Sequence, residues 1–143
     1  MIGILIVAHG SLADSLVECA VHVLGSRPPA LATIDFTGHA DPEERQNVLR
    51  ARLTELAAFN VRAGEGVLVL ADVYGATPCN TLCRQLEPGR IEGVSGANLP
   101  MLLKALTARE GATLAELVAR IVEGGRNSIN HISEAMCHAA TGR

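Results

Sequence analysis

Two apolar segments of the sequence each end at a side chain that could do chemistry. Residues 2–8 (IGILIVA) lead into His9, and residues 67–71 (VLVLA) lead into Asp72. Continuous apolar runs rich in β-branched residues are typical of strands in a parallel sheet that is covered on both faces. Ligands of open α/β sheets bind just beyond the carboxyl ends of the strands. The sequence therefore predicts a functional site that contains His9 and Asp72.

The residues around His9 favour the transfer of a phosphoryl group. Gly10 and Ser11 follow the histidine and open a predicted helix, whose unpaired N–H groups and positive dipole end suit an anion. Thr77 opens a second helix shortly after Asp72. If the first and third strands are neighbours, the carboxylate can hold one ring nitrogen of His9 and leave the other as a nucleophile. We therefore predict His9 as a phosphoryl acceptor, with Asp72 as its hydrogen-bond partner.

Two other interpretations of the same residues are open. Both could be structural, as a hydrogen-bonded histidine at a strand end and an aspartate that caps a turn. Alternatively, Asp72 could itself be phosphorylated, as in a receiver-like domain of the same fold class. That chemistry needs Mg²⁺ held by carboxylates, and no acidic cluster follows the first apolar run. The P-loop, GxGxxG and GxSxG motifs are absent from the sequence, and we expect neither a cofactor nor a metal site.

Composition narrows the class of protein. The 143 residues carry a net charge of −3 and are 48% hydrophobic, which is typical of a single globular domain. The lack of basic character argues against nucleic acid as a partner, and no apolar run approaches the ~18–20 residues that span a bilayer. The four cysteines are irregularly spaced, and Met1 leads into the first apolar run without the features of a signal peptide. We therefore expect a cytoplasmic protein whose cysteines are reduced and mostly packing residues.

Strand and helix signals alternate along the chain, as in right-handed βαβ units. Strands are predicted at 2–8, 31–36, 67–72 and 90–94, with helices that begin near residues 11, 41, 77, 98 and 113. Ser11 and Asp14 predict a capping box for the first helix, and the Gly124-Gly125 pair predicts the end of the last one. The apolar face of the first helix is predicted to consist of Leu12, Leu16, Val23 and Leu24. The expected architecture is an α/β fold with a four-stranded, mainly parallel sheet and helices on both faces.

Four longer motifs occur in a specific order: GILIVAHGSLADSL from Gly3, Ile34-Asp35-Phe36, LADVYGATPCN from Leu70 and GANLPMLLKAL from Gly96. In order and spacing they resemble the IIA domain of the mannose-family sugar phosphotransferase system, which includes fructose- and sorbose-type members. The resemblance covers the chain from Met1 to about Val122. It implies a phosphotransferase in which a histidine accepts a phosphoryl group from a small histidine phosphocarrier protein and passes it to a IIB component.

Carried over by motif position, the acceptor is His9 and its hydrogen-bond partner is Asp72. Backbone and hydroxyl groups of Gly10, Ser11, Gly75 and Thr77 are the expected phosphoryl-binding groups. The family commonly has Gly-Gly-Ser-Pro where this chain has GATP at 75–78. We expect Thr77 to cap its helix in place of the serine, and Ala76 indicates that the turn needs no positive φ there.

The resemblance also predicts the organisation of the protein. We expect a single IIA-type phosphocarrier domain over residues 1–143, with a core at 1–124 and a variable tail at 125–143. Several relatives continue into a linker and a IIB domain, so the acceptor here would be a separate IIB component. The alternative is a stand-alone regulatory protein that responds to its phosphorylation state and has no role in sugar transport. Relatives are often homodimers that exchange a C-terminal strand, for which residues 127–136 are the candidate.

Overall fold

The computed structural model describes residues 1–141. The strands are β1 (Gly3–Ala8), β2 (Leu31–Asp35), β3 (Val67–Ala71) and β4 (Ile91–Ser95). The helices are α1 (Leu12–Leu24), α2 (Pro42–Ala57), α3 (Thr77–Cys83), α4 (Leu99–Ala108), α5 (Leu114–Asn127) and α6 (Glu134–Thr141). A short 3-10 helix, Phe36–Gly38, follows β2.

The strands form one sheet in the order β2-β1-β3-β4, and every neighbouring pair is parallel. This confirms the predicted α/β architecture. β1 lies between β2 and β3, with Ile4 opposite both Leu31 and Leu68. Towards the other end of the strands, Val7 lies opposite Ala71. The loops that leave β1 and β3 therefore start side by side at the carboxyl edge of the sheet.

All residues of β1 and β3 are buried, because helices cover both faces of the sheet. On one face Ile4 and Ile6 belong to an apolar cluster with residues of α1, α4 and α5. On the other face Leu5 and Val7 belong to a cluster with residues of α2 and α3. This two-sided burial explains why the two strands read as continuous apolar runs in the sequence rather than as alternating patterns.

The start of α1 and its apolar face differ from the predictions. Ser11 lies at the N-cap position without a side-chain hydrogen bond, and the Asp14 carboxylate accepts a hydrogen bond from the Thr33 hydroxyl of β2 instead. The predicted capping box is therefore absent. The residues of α1 that are buried are the small or β-branched ones, Ala13, Val17 and Ala20. The predicted face is partly buried at Leu16 and exposed at Leu12, Val23 and Leu24.

The C-terminal part of the described chain also differs from its prediction. α5 continues through Gly124 and Gly125 to Asn127, so the glycine pair does not end it. Residues 127–136 form the end of α5, an irregular stretch and the start of α6, not a strand. The Ser133 hydroxyl accepts a hydrogen bond from the Met136 N–H at the start of α6, which favours a helix there. The strand prediction is thus wrong for the single chain, and exchange between two chains stays a prediction.

The amino-terminal edge of the sheet contains a buried arginine that the sequence analysis did not single out. Arg109 follows α4 and is 3% exposed. Its guanidinium donates to three backbone carbonyls, those of Ile2 (3.1 Å), Pro29 (2.7 Å) and Ala30 (3.3 Å). Arg109 therefore joins α4 to the start of β1 and to the segment that leads into β2.

Candidate functional site

His9 and Asp72 lie directly after β1 and β3 and are in contact. The Nδ1 atom of His9 is 2.7 Å from Oδ2 of Asp72, and the His9 backbone N–H donates to the same oxygen at 3.0 Å. The two residues are 63 positions apart in sequence and meet because β1 and β3 are neighbouring parallel strands. The condition on which the predicted pairing depended is therefore met.

The Asp72 carboxylate is a largely buried acceptor, with a side chain that is 7% exposed. Its second oxygen accepts a hydrogen bond from the Val73 backbone N–H at 2.8 Å. Burial favours the neutral acid and raises the pKa of Asp72, but the hydrogen bonds from His9 and Val73 and the charge of His9 together outweigh burial and lower that pKa. The carboxylate is therefore ionised at neutral pH and holds the histidine by both its backbone and its ring.

The His9 ring presents its other nitrogen to solvent. The side chain is 51% exposed, and within residues 1–141 Nε2 has no hydrogen-bond partner. An ionised carboxylate can only accept hydrogen bonds, so the neutral ring carries its proton on Nδ1 and its lone pair on Nε2. Chemically, the arrangement provides an accessible nucleophilic nitrogen with a fixed tautomer and a negative charge behind it.

Gly10 and Gly75 introduce left-handed turns into the loops that follow β1 and β3. Their φ angles are +57° and +82°, and residues other than glycine rarely adopt such positive values. A Cβ atom at either position would meet nothing within 4 Å. Space is thus open beside both turns, where a ligand could approach the backbone.

Ser11 and Thr77 are exposed, and their hydroxyls make no hydrogen bonds within the described part of the chain. Thr77 is the first residue of α3, and Ala76 occupies the N-cap position with a φ of −87°. The prediction that Thr77 caps the helix is wrong, while the prediction that residue 76 needs no positive φ is confirmed. Within the described residues, 1–141, the His9 ring forms no hydrogen bond with Gly10, Ser11, Gly75 or Thr77.

A third carboxylate at this edge of the sheet was not predicted as a site residue. Asp35 ends β2 opposite Ala8 and accepts hydrogen bonds from the Thr37 hydroxyl (2.6 Å) and N–H (2.9 Å). These two hydrogen bonds are the main reason that the pKa of Asp35 is lowered. A hydrogen bond from the Gly10 N–H and the charge of His39 contribute less. Asp35 therefore lies beside the loop that carries His9. The signal was available, since a third strand of the sheet also ends at an acid.

Comparison with known proteins decides the family. The sequence profile of the family described as "PTS system fructose IIA component" matches residues 3–122, which is most of the chain. The chain belongs to this family. PTS denotes the phosphotransferase system, so membership places the protein among phosphotransferase components.

Individual relatives of this IIA family agree with the assignment. The chain is 33% identical over 130 residues to the mannose-specific EIIAB component of Escherichia coli, a match that covers 90% of this chain and 38% of that protein. It is 28% identical over 135 residues to the fructose-specific EIIA component of Bacillus subtilis, covering 94% and 88% respectively. A crystal structure of an EIIA component from Streptococcus agalactiae superposes with a TM-score of 0.77 at 25% identity, covering 92% of this chain and 97% of that one.

Membrane-spanning helices, metal-ligand clusters and buried cysteines are further features relevant to function in the described residues, 1–141, of this family member. None of its helices within residues 1–141 combines the length and apolar character needed to cross a membrane. Over the same residues, no three His, Cys, Asp or Glu side chains cluster as metal ligands would. Of the four cysteines only Cys79 is buried. The prediction that most of them are packing residues is therefore wrong.

Proposed function

We propose that this IIA family member is a phosphocarrier whose acceptor is Nε2 of His9. The donor is the phosphohistidine of a small histidine phosphocarrier protein, and the acceptor of the second transfer is a IIB component. One observation carries the proposal: Asp72 occupies Nδ1 at 2.7 Å and leaves Nε2 exposed and without a partner in residues 1–141. No metal ion or cofactor takes part in the proposed transfer.

In the proposed step the Nε2 lone pair of His9 attacks the phosphorus atom. The new N–P bond forms as the N–P bond of the donor phosphohistidine breaks, and the donor nitrogen regains the electron pair. The His9 ring acquires positive charge as its bond to phosphorus forms, and the adjacent Asp72 carboxylate stabilises that charge. Catalysis then depends mainly on positioning and charge stabilisation, as is usual for phosphoryl transfer.

We further propose that Gly10, Ser11, Gly75 and Thr77 bind the phosphoryl oxygens. The open space beside the two glycines and the two exposed hydroxyls support this assignment. Backbone N–H groups at the start of α1 add a favourable dipole for an anion.

An in vitro phosphorylation assay tests whether His9 is the phosphoryl acceptor. The protein is incubated with phosphoenolpyruvate, the general enzyme of the phosphotransferase system and the small carrier protein. We expect one phosphoryl group per chain, stable to alkali and labile to acid, as for a phosphoramidate. His9→Ala should abolish the labelling, while the matched control His22→Ala, on the exposed side of α1, should label fully. Persistent labelling of His9→Ala would rule out the assignment. A label that is lost in alkali or hydroxylamine and requires Mg²⁺ would indicate an acyl phosphate on Asp72 instead.

The carrier role has more support than the regulatory one, because two of the relatives named above are the mannose-specific EIIAB component and the fructose-specific EIIA component of the phosphotransferase system. In a cell extract that contains IIB and membrane components, we expect a sugar to discharge phospho-His9. If no sugar does so, and another protein binds only one phosphorylation state, the regulatory alternative is correct. A phosphoryl group adds about two negative charges, enough to switch such an interface.

We also propose that residues 1–143 act as one IIA-type domain in the cytoplasm and that the chain is a homodimer. The side chains of Ile129 and Ile132 are 80% and 75% exposed, and no residue of α6 is buried. Burial of this tail by a second chain would remove that apolar surface from water. Sedimentation equilibrium of the full chain should give the dimer mass, and Ile129→Asp with Ile132→Asp should shift it to the monomer. A monomer mass for the wild type would contradict the proposal.

A further inference from the structure

A polar groove lies between α2 and α3, next to the turn that follows Asp72. Its volume is about 260 Å³. The polar side chains that line it are Arg45, Gln46, Thr77, Asn80, Thr81 and Arg84. The lining includes two guanidinium groups and no carboxylate, although the whole chain has a net charge of −3.

Neither arginine of the groove is neutralised within residues 1–141. One terminal nitrogen of Arg45 donates to the carbonyls of His39 (2.9 Å) and Ala40 (2.8 Å), and its Nε is buried without a hydrogen-bond partner. Arg84 is exposed and forms neither a salt bridge nor a side-chain hydrogen bond in the described chain. Unsatisfied buried donors are rare in folded proteins and are explained by strain or by a bound water or ion. Neither guanidinium has a carboxylate partner within residues 1–141, so both positive charges are open to an anion from solution.

Hydrogen bonds connect the walls of the groove to each other. The Gln46 side chain donates to the Thr81 carbonyl at 3.0 Å, and the Thr81 hydroxyl donates to the Thr77 carbonyl at 2.8 Å. Thr77 begins α3 directly after the turn that follows Asp72 and is among the proposed phosphoryl-binding residues. A ligand in the groove would therefore lie beside Thr77 and contact both α2 and α3.

We propose that this groove binds a small dianion of the phosphate monoester class between Arg45 and Arg84. Guanidinium groups match phosphate oxygens with paired hydrogen bonds. The Thr77 hydroxyl and the second N–H of the Asn80 side chain offer further donors. The volume suits a phosphate group with a short organic body, not a folded protein surface. Building on the proposed function, the occupied groove slows phosphorylation of His9, because a second anion beside Thr77 repels the incoming phosphoryl group.

Titration with inorganic phosphate, glycerol 3-phosphate and uncharged glycerol tests the binding. In a low-salt buffer free of phosphate, calorimetry and backbone-amide NMR should show that both anions bind and that glycerol does not. The amide shifts should be concentrated in residues 43–46, 77 and 79–84, since Pro42 and Pro78 have no backbone N–H. His9→Ala should bind as well as the wild type, because His9 does not line the groove.

Arginine variants test the site itself. Arg84→Gln, at an exposed position, should weaken binding about tenfold or more, the size expected from losing one charge-assisted contact. Arg45→Gln should weaken binding as well, with its fold checked by circular dichroism. The control Arg120→Gln removes the same charge from α5, on the other face of the sheet, and should bind like the wild type.

Each contrary outcome overturns a defined part of the proposal. Absence of binding at ligand concentrations up to about 10 mM, which would nearly saturate a site with a Kd of ~1 mM, overturns it entirely. Binding that is lost in His9→Ala but kept in Arg84→Gln places the anion at the transfer site. Loss of partner-protein binding in Arg84→Gln, without any binding of small anions, makes the groove a protein interface.

The rate effect is measured separately. Phosphorylation of the wild type should be slower with glycerol 3-phosphate than without it, and this ratio should approach one in Arg84→Gln. Binding without any slowing overturns the regulatory part alone. The binding results stand whether or not His9 is the phosphoryl acceptor, so failure of the proposed function and failure of this inference are distinguishable.

Discussion

At the residue scale, the site depends on one carboxylate that does several things at once. The Asp72 carboxylate accepts hydrogen bonds from Nδ1 of the His9 ring, from the His9 backbone N–H and from the Val73 backbone N–H. Removing its charge would affect the tautomer of the ring, the loop that carries it and the charge that forms during transfer. The lowered pKa of Asp72 keeps the carboxylate ionised in mildly acidic solution, where an ordinary aspartate begins to be protonated.

The first prediction concerns Asp72→Asn. The asparagine side chain has a similar size, and its single carbonyl oxygen can still accept one of the two backbone hydrogen bonds, so we expect a folded protein. The rate of phosphorylation should fall by roughly 10²-fold or more, as when other carboxylates that orient a histidine are neutralised. Rapid-quench measurements of phosphoryl transfer from the carrier protein would give the rate. Asp41→Asn is the matched control, because Asp41 caps α2 and asparagine caps helices equally well. A wild-type rate in Asp72→Asn would make Asp72 a structural turn residue.

At the element scale, packing against neighbouring helices decides details that local sequence signals leave open. The Gly124-Gly125 pair is a typical helix-ending signal, yet α5 passes through it to Asn127. The reason is the close packing of α5 on α4, where a Cβ at position 125 would come within 2.9 Å of Met101 Cε. The glycine at 125 thus suits the close approach of the two helices rather than a turn, and a side chain there would displace the flexible end of Met101.

Alanine substitutions at the pair test this explanation. A Cβ at 124 would lie at ordinary contact distance, 3.5 Å, from Lys104 Cγ. Gly124→Ala should therefore raise the free energy of unfolding by about 0.5–1 kcal/mol, the gain from replacing a helical glycine. Gly125→Ala should gain less, because Met101 must move. Urea denaturation of the two variants gives both values. If Gly124→Ala is instead destabilising, the backbone at 124 is left-handed and the helix ends there.

At the scale of the whole molecule, the two edges of the sheet have different roles. The carboxyl edge carries His9, Asp72 and Asp35, while the amino edge is held together by buried charged groups. Besides Arg109, this edge contains Glu65, which is 3% exposed. Its carboxylate accepts hydrogen bonds from the Met1 ammonium (2.6 Å) and the Val61 N–H (2.6 Å).

From the lowered pKa of Glu65 we predict how the free energy of unfolding depends on pH. The ammonium of Met1 and the backbone N–H of Val61 stabilise the ionised form against the effect of burial, and they lower the pKa of Glu65 from 4.5 to about 2. A carboxyl whose pKa is lower in the folded state stabilises the fold above its ordinary pKa and loses that effect as the pH falls. The wild type should therefore be more stable than Glu65→Gln at pH 7, and the difference should shrink between pH 4.5 and 2.

Chemical denaturation across this range measures the difference. Glu55→Gln, which removes an exposed glutamate paired with Arg52, is the control and should show little change at any pH. A difference between wild type and Glu65→Gln that stays constant down to pH 2 would show that the carboxylate is not ionised preferentially in the folded state.

The sequence alone was sufficient for the features that depend on short segments. The apolar runs before His9 and Asp72 predicted two buried strands, because residues covered on both faces must all be apolar. The alternation of elements predicted the parallel sheet, and the four motifs at 3–16, 34–36, 70–80 and 96–106 predicted the family. These signals are local, so a single chain displays them without reference to what packs against it.

Only the tertiary structure decided which residues meet. That β1 and β3 are neighbours, and hence that Asp72 reaches Nδ1 of His9, is a matter of strand order, which no local pattern encodes. The face of α1, the course of α5 through Gly124-Gly125 and the buried position of Arg109 depend likewise on the contacts of packed elements. The groove between Arg45 and Arg84 brings together side chains from two helices on one face of the sheet. Distances across a fold depend on how distant segments pack, and packing energies outweigh the local propensities from which sequence predictions are made.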